Sequence, residues 1–263
     1  MNSKLSDIYS LEQLASKNTV LHRLHPGAKL LTTLIYIICV VSFDRYSLSR
    51  VMTFIVYPVV IMALGEIPFG LILKRSAVAL PFVVFAGISN VIFDRNIALY
   101  LGSIPVSGGM LSLVTLVLKT VFTVSAVLIL VSLTPFNKLT AELRRIHVPN
   151  LLVSLIEMIY RYITVLGEEA SNMITAFRLR SNGLKWPRAK DFGSFVGQLL
   201  IRSNDRAERV YNSMICRLYN QNSFRYITQK VRIWDVVYLF IIGGGCITAR
   251  AIDISKLIYG LIL

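Results

Sequence analysis

The sequence predicts an all-helical, polytopic membrane protein of about five or six transmembrane helices with one large amphipathic insertion. Three observations lead there. Of the 263 residues, 16% are charged and 55% hydrophobic, well short of the ~25% charged share of soluble domains. Several apolar runs approach the ~20 residues that cross a ~30 Å hydrocarbon core at about 1.5 Å per residue. The basic residues behind the net charge of +14 are concentrated in one stretch, 134–230, that is polar and helix-patterned. The domain organisation follows: 1–133 an N-terminal transmembrane bundle, 134–230 a cytoplasmic helical region, and 231–263 a C-terminal transmembrane segment.

The segment Met1 to Leu24 is polar and mixed in charge, so it does not read as a cleavable signal peptide. A first span is expected from Ala28 to Phe43, preceded by Arg23, His25 and Lys29. A second runs from Val51 to Leu64, and a third from Leu71 or Ser76 to Phe93, where Pro81 removes a helical hydrogen bond and predicts a kink or re-entrant bend. The stretch Asp94 to Gly109, with Gly102, Pro105, Gly108 and Gly109, reads as an extramembrane loop. Met110 to Leu133 is the clearest span, and Lys119 near its middle is a functional candidate because a charge at that depth is costly, although a long lysine also snorkels. The chain returns to the membrane from Ile233 to Thr248 despite Asp235, and Ile254 to Leu263 either lies at the interface or completes another span.

Lys4, Lys17, Arg23 and Lys29, then Lys74 and Arg75, then the basic residues after Leu133 share one side if four spans precede the insertion. The excess of basic residues in cytoplasmic loops makes that side cytoplasmic. Nucleic-acid binding is the weaker account of the charge, since the basic residues are interleaved with helical periodicity instead of stacking aromatics.

Within the insertion no apolar run of membrane length is expected. Thr134-Pro135 reads as a cap and first-turn proline of a short helix carrying Lys138, Glu142, Arg144 and Arg145 up to Pro149. A second helix from Leu152 bears a stripe of Leu152, Leu155, Ile159, Ile163, Leu166, Ala170, Met173 and Phe177. Glu157 and Arg161, one turn apart, are placed to pair, and Asn182-Gly183 supplies a stop. A third helix, N-capped at Asp191, repeats the spacing through Val196, Leu199, Ser203, Ala207, Val210, Met214 and Leu218. These stripes must be buried against each other or the membrane face. Arg178 and Arg180 close one helix and Arg217 the other, which suits both dipole compensation and contact with acidic grooves of a partner.

The blocks TPFNKLTAELRRIHVPN, IYRYITVLGEEASNMITAFRLRSNG and IRSNDRAERVYNSMICRLYN, with LHRLHPGAKL before the first span, resemble the transmembrane T component of energy-coupling-factor transporters, and most closely its cobalt-transport branch, the CbiQ family. The resemblance implies a non-enzymatic scaffold that couples a pair of ABC-type ATPases, through cytoplasmic coupling helices, to a substrate-binding S component of the cobalt-binding CbiM type. Nickel or a vitamin is the alternative substrate. It further implies an Ala-Arg-Gly-like motif at the end of each coupling helix. The matching triplets are Leu179-Arg180-Ser181 and Cys216-Arg217-Leu218: the arginines match and the small neighbours are replaced. Together with Arg178 these are the expected ATPase-contacting residues, and Gly183 and Asn220 are the expected displaced helix stops.

Other chemistry is poorly served. The sequence shows no nucleophile with a base, no paired carboxylates and no phosphate-binding Gly-rich loop ending in Lys-Ser or Lys-Thr. No cofactor is therefore expected on this chain, and ATP belongs to partner subunits. Gly243-Gly244-Gly245 reads as close helix packing. His22 and His25 lack a third metal ligand nearby. Cys39, Cys216 and Cys246 lack C-x-x-C spacing and read as packing residues. A stand-alone secondary transporter would require several embedded ionisable groups near the midplane, and Lys119 alone is thin support for it.

Overall fold

The structure is a computed structural model, and it describes residues 15, 19, 21–93, 97–101, 104–181, 184, 186–219 and 231–251. The described residues are almost entirely helical, as expected, with one short two-stranded hairpin. The chain divides into two compact units, one within Thr140–Thr228 and the other within Leu11–Leu139 and Gln229–Leu263.

In the second of these, α1 (Pro26–Val41) begins with proline in its first turn, where the missing N–H was surplus. The Nδ1 of His25 accepts from the Gly27 N–H and caps it. The expected second span is two helices, α2 (Leu48–Thr53) and α3 (Val56–Leu64). Pro58 explains the break: it has no N–H for the carbonyl of residue i−4, Phe54. The Tyr36 hydroxyl donates to that carbonyl instead, at 2.9 Å.

The third span covers nearly the expected stretch, Phe69–Ile92, and is interrupted internally. Helix α4 (Phe69–Ser76) contains Lys74 and Arg75, a 3-10 turn follows at Ala77–Ala79, and α5 (Leu80–Phe93) starts beyond it. Pro81 therefore sits in a first turn, where it is tolerated, and the irregularity lies before it. The expected loop folds as an antiparallel hairpin of β1 (Ile97–Leu101) and β2 (Ile104–Ser107), with Tyr100 opposite Pro105. Helix α6 (Gly108–Leu133) follows, and the Ser107 side chain accepts from the Met110 N–H at its start. A Cβ on Gly87 would stand 3.0 Å from Leu113 Cγ, so this glycine lets α5 lie close on α6.

The last segment of this unit comprises α10 (Ile233–Tyr238), a π-helical turn at Leu239–Gly243, and α11 (Gly244–Ala251). The glycine triplet does less packing than expected: a Cβ on Gly243 would meet Ile35 Cδ1 at an ordinary 3.5 Å, and one on Gly244 or Gly245 would meet open space. Two buried clusters form the core. One gathers Tyr36, Val40, Val51, Phe54 and Phe122 with Cys39 and Cys246, and the other gathers Ile61, Ile67, Ile72, Ile129 and Leu133. Residues 254–263 lie outside the described residues.

Helix α7 (Phe136–Arg145) leads into the other unit. Thr134 ends α6 with extended backbone, and its buried hydroxyl has no hydrogen-bond partner, so it is not the side-chain cap that the sequence suggested. Helix α8 (Asn150–Arg180) and helix α9 (Ala189–Cys216) form the long pair. Asp191 lies inside the first turn of α9, and the cap position is Arg188.

Among the described residues, four helical stretches are long and apolar enough to cross a membrane: Phe69–Ile92, Gly108–Leu133, Asn150–Arg180 and Ile233–Arg250; Pro26–Val41 and Leu48–Leu64 are shorter apolar helices. The third of these corrects the expectation that no such run falls in the insertion. By length and composition α8 qualifies because its first half, from Asn150 to Gly167, carries only Glu157 and Arg161 as charges.

Candidate functional site

Helices α8 and α9 run antiparallel. Met158, Ile163 and Leu166 of α8 face Ala207, Val210 and Met214 of α9 across an apolar groove of about 450 Å³. The other end of the pair encloses a more polar cleft of about 790 Å³, lined by Ala176, Phe177 and Arg180 of α8 and by Asp191, Phe195 and Arg202 of α9. Between the two, Arg202 of α9 pairs with Glu169 of α8.

The stripes that periodicity identified are only partly covered. Leu152, Leu155, Ile159 and Ile163 are all exposed, and the buried positions of α8 are Val153 and Ile174. No residue of α9 is buried. Burying a side chain such as leucine is worth ~1.5–3 kcal/mol, so an uncovered face of this size marks a surface for a partner or for lipid.

The end of α8 is held locally. Arg180 donates from Nε to the Ala176 carbonyl at 3.1 Å, which satisfies one of the terminal carbonyls of its own helix. Arg178 lies 5.7 Å over the Trp186 ring. Leu179 is 85% exposed. Ser181 closes the helix in extended conformation and donates its N–H to Phe177. Nothing at Ser181 requires glycine. Gly183, the expected displaced stop, lies outside the described residues.

The end of α9 is different. Leu218 adopts φ of 54°, donates its N–H to Ile215 and is followed by Tyr219 N–H donating to Met214. This is a Schellman cap, in which a left-handed residue usually glycine turns the chain out of the helix. Glu66 after α3 and His147 after α7 take the same conformation. Leu218 thus holds the left-handed turn where the motif has glycine, and Asn220, outside the described residues, is not needed for it. Leu218 is 90% exposed, and Arg217 and Cys216 beside it are exposed too, so Cys216 is not the packing residue expected.

The fold therefore does not bring the two arginine triplets together. They stand at opposite ends of one antiparallel pair, roughly 40 Å apart at 1.5 Å per residue along the helices. Each presents an arginine flanked by an exposed leucine: Leu179-Arg180 at one end and Arg217-Leu218 at the other.

Glu157 has a partner other than the expected Arg161. It accepts from Thr140 at 2.8 Å and from Arg144 at 3.3 Å, both on α7, and Arg144 also donates to Ser154. This brace fixes α7 against the start of α8, and sequence spacing concealed it because the partners lie across a turn.

Lys119 is engaged structurally. Its ammonium donates to the carbonyls of Val41, the last residue of α1, and of Phe43 just beyond it. Arg250 donates to the neighbouring Ser42 carbonyl at 3.0 Å and lies 4.5 Å over the Phe43 ring. Two cations at one helix C-terminus satisfy its free carbonyls and oppose its dipole. His22 and His25 use their Nδ1 atoms toward Thr19 and Gly27, and the described residues contain no group of three or more His, Cys, Asp or Glu able to hold a metal.

The family of CbiQ cobalt transport proteins matches residues 17–226, spanning both units. The chain belongs to this family. Among curated relatives, it is 24% identical to the energy-coupling factor transporter transmembrane protein EcfT of Ruminiclostridium cellulolyticum over 85% of this chain and 88% of that protein. It is 32% identical to the cobalt transport protein CbiQ of Rhodobacter capsulatus over 38% of this chain and 41% of that one. An uncharacterised protein of Methanocaldococcus jannaschii is 25% identical over 73% and 70% respectively. As a CbiQ family member with several apolar helices, the chain is a multi-pass membrane subunit of transport type.

Proposed function

We propose that this chain is the energy-coupling T component of an ABC-type importer, and that its cargo is cobalt. In this reading a pair of partner ATPases binds and hydrolyses ATP, a membrane S component holds the metal, and α8 and α9 carry motion between them from the cytoplasmic side of the cell membrane. The chain itself contributes no catalysis and holds no cofactor. The observation that carries the reading is the placement of Arg180 and Arg217: both are exposed, each sits beside an exposed leucine, and they occupy opposite ends of one helix pair. Two separated, similar ends suit two copies of an ATPase, each offering a groove with an apolar floor and an acidic rim. The relatives named for energy coupling and for cobalt transport support the same assignment.

The reading is tested with the chain co-produced with its ATPase and S partners and purified from membranes. Replacing Arg180 and Arg217 together by Glu is expected to abolish co-purification of the ATPases or to stop ATP-driven cobalt uptake in proteoliposomes. Unchanged capture together with unchanged uptake would overturn it. Mass spectrometry of the S component and its bound ligand decides between cobalt and nickel or a vitamin. The secondary-transporter reading gains nothing from Lys119, whose charge is spent on helix-end carbonyls.

A further inference from the structure

The chain passes between its two compact units after Ser10, after Leu139 and before Gln229, and the last two crossings flank the segment that holds α8 and α9. Those two connections join the α8–α9 pair covalently to the membrane bundle. The described residues nearest them on the bundle side are the end of α6 with α7 and the start of α10.

Both are tied to one short segment, His22 to Lys29. Lys29 Nζ donates to the carbonyl of Leu133, the last residue of α6, at 3.0 Å, and to the His22 carbonyl at 3.4 Å. On α10, Asp235 accepts the His25 N–H on Oδ1 and the Arg232 N–H on Oδ2, both at 2.7 Å. Lys29 and Asp235 are each only 4% exposed. Charges buried to this degree are retained only with good partners, and here the partners are backbone groups: the Leu133 and His22 carbonyls for Lys29, and the His25 and Arg232 N–H groups for Asp235.

The geometry points to Lys29 and Asp235 as positioning residues for energy coupling: a two-point anchor at which both connections are fastened to the N-terminus of α1. The inference rests on the reading of the α8–α9 pair as the ATPase-driven element. With both points fastened, a push on the pair moves α1, α6 and α10 together; with either released, the connection yields locally and the bundle is left behind.

Three variants test this in the intact complex reconstituted into proteoliposomes, with cobalt(II) as cargo and both uptake and ATP hydrolysis measured. K29M removes the donor, K29R restores one, and D235N keeps a carbonyl oxygen for His25 while losing the acceptor for Arg232. K29M and D235N are expected to retain ATPase capture and hydrolysis while cobalt moved per ATP falls by roughly tenfold, a usual size for coupling between sites. K29R is expected to recover much of it. Wild-type uptake per ATP in both K29M and D235N would overturn the anchor, as would a parallel fall in hydrolysis and uptake, the mark of a merely structural role. Should K29M fail to assemble, the K29R and D235N ratios decide alone. The double Glu variant at Arg180 and Arg217, run alongside, separates the two ideas: normal capture together with normal uptake there refutes the coupling reading itself, whereas lost capture or lost uptake there with normal ratios in the anchor variants refutes only the anchor.

Discussion

Tyr36 of α1 donates its hydroxyl proton to the Phe54 carbonyl at 2.9 Å, the carbonyl that Pro58 leaves without its helical donor. Tyr36 is fully buried and stacks on Tyr57 at 4.3 Å between ring centroids. The bond closes the gap between α2 and α3 from outside that segment. Y36F keeps the ring and strands the carbonyl in an apolar core, at a cost of about 1–3 kcal/mol. Thermal unfolding of the detergent-solubilised protein is expected to show the loss, and an unshifted midpoint would mean the carbonyl has another donor.

Glu157 and Arg144 form the brace between α7 and α8, with side chains 25% and 11% exposed. A double-mutant cycle with E157Q and R144M is expected to show a coupling of about 1–2 kcal/mol, in the range for partly buried, charge-assisted bonds. The same cycle between Glu157 and Arg161 is expected to give close to zero. A larger coupling to Arg161 than to Arg144 would contradict the geometry.

Leu218 holds a left-handed conformation that costs an L-residue roughly 1–2 kcal/mol, a cost glycine escapes. L218G is therefore expected to strengthen the last turn of α9, seen as slower amide hydrogen exchange at Arg217 to Tyr219. L218V, β-branched, is expected to loosen it. Faster exchange in the glycine variant would show that the cap depends on the side chain.

Lys119 and Arg250 converge on the carbonyls at the C-terminal end of α1. K119M is expected to lower thermal stability by about 1 kcal/mol, the scale of one hydrogen bond at a helix end, and to leave ATP-driven cobalt uptake by the assembled complex nearly intact. Complete loss of uptake in a stably assembled K119M complex would instead place this lysine on the transport path.

Much of the fold was legible because its causes are local. Long apolar runs separated α6 and the α10–α11 segment, and the three-four spacing identified α8 and α9. Where the reading failed, a local signal had two meanings. Thr134 ended one helix instead of capping the next. The apolar first half of α8 served two descriptions at once, an amphipathic stripe and a membrane-length run. At the candidate site, Arg180 and Arg217 were singled out by the resemblance to the family's arginine motifs, and the structure shows both exposed at helix ends. The Leu218 turn was hidden because leucine carries no left-handed signal.

The sequence by itself determined that this is a helical membrane protein with two striped helices ending in arginine, since hydropathy and periodicity act over a few neighbouring residues, and its motif blocks carried the resemblance to the CbiQ family. Tertiary structure alone decided what the buried charges hold. Lys29 meets Leu133 across 104 positions, and Asp235 meets His25 across 210. A buried charge must take whatever donor or acceptor the fold brings within about 3 Å, and no spacing rule along the chain specifies which one that is.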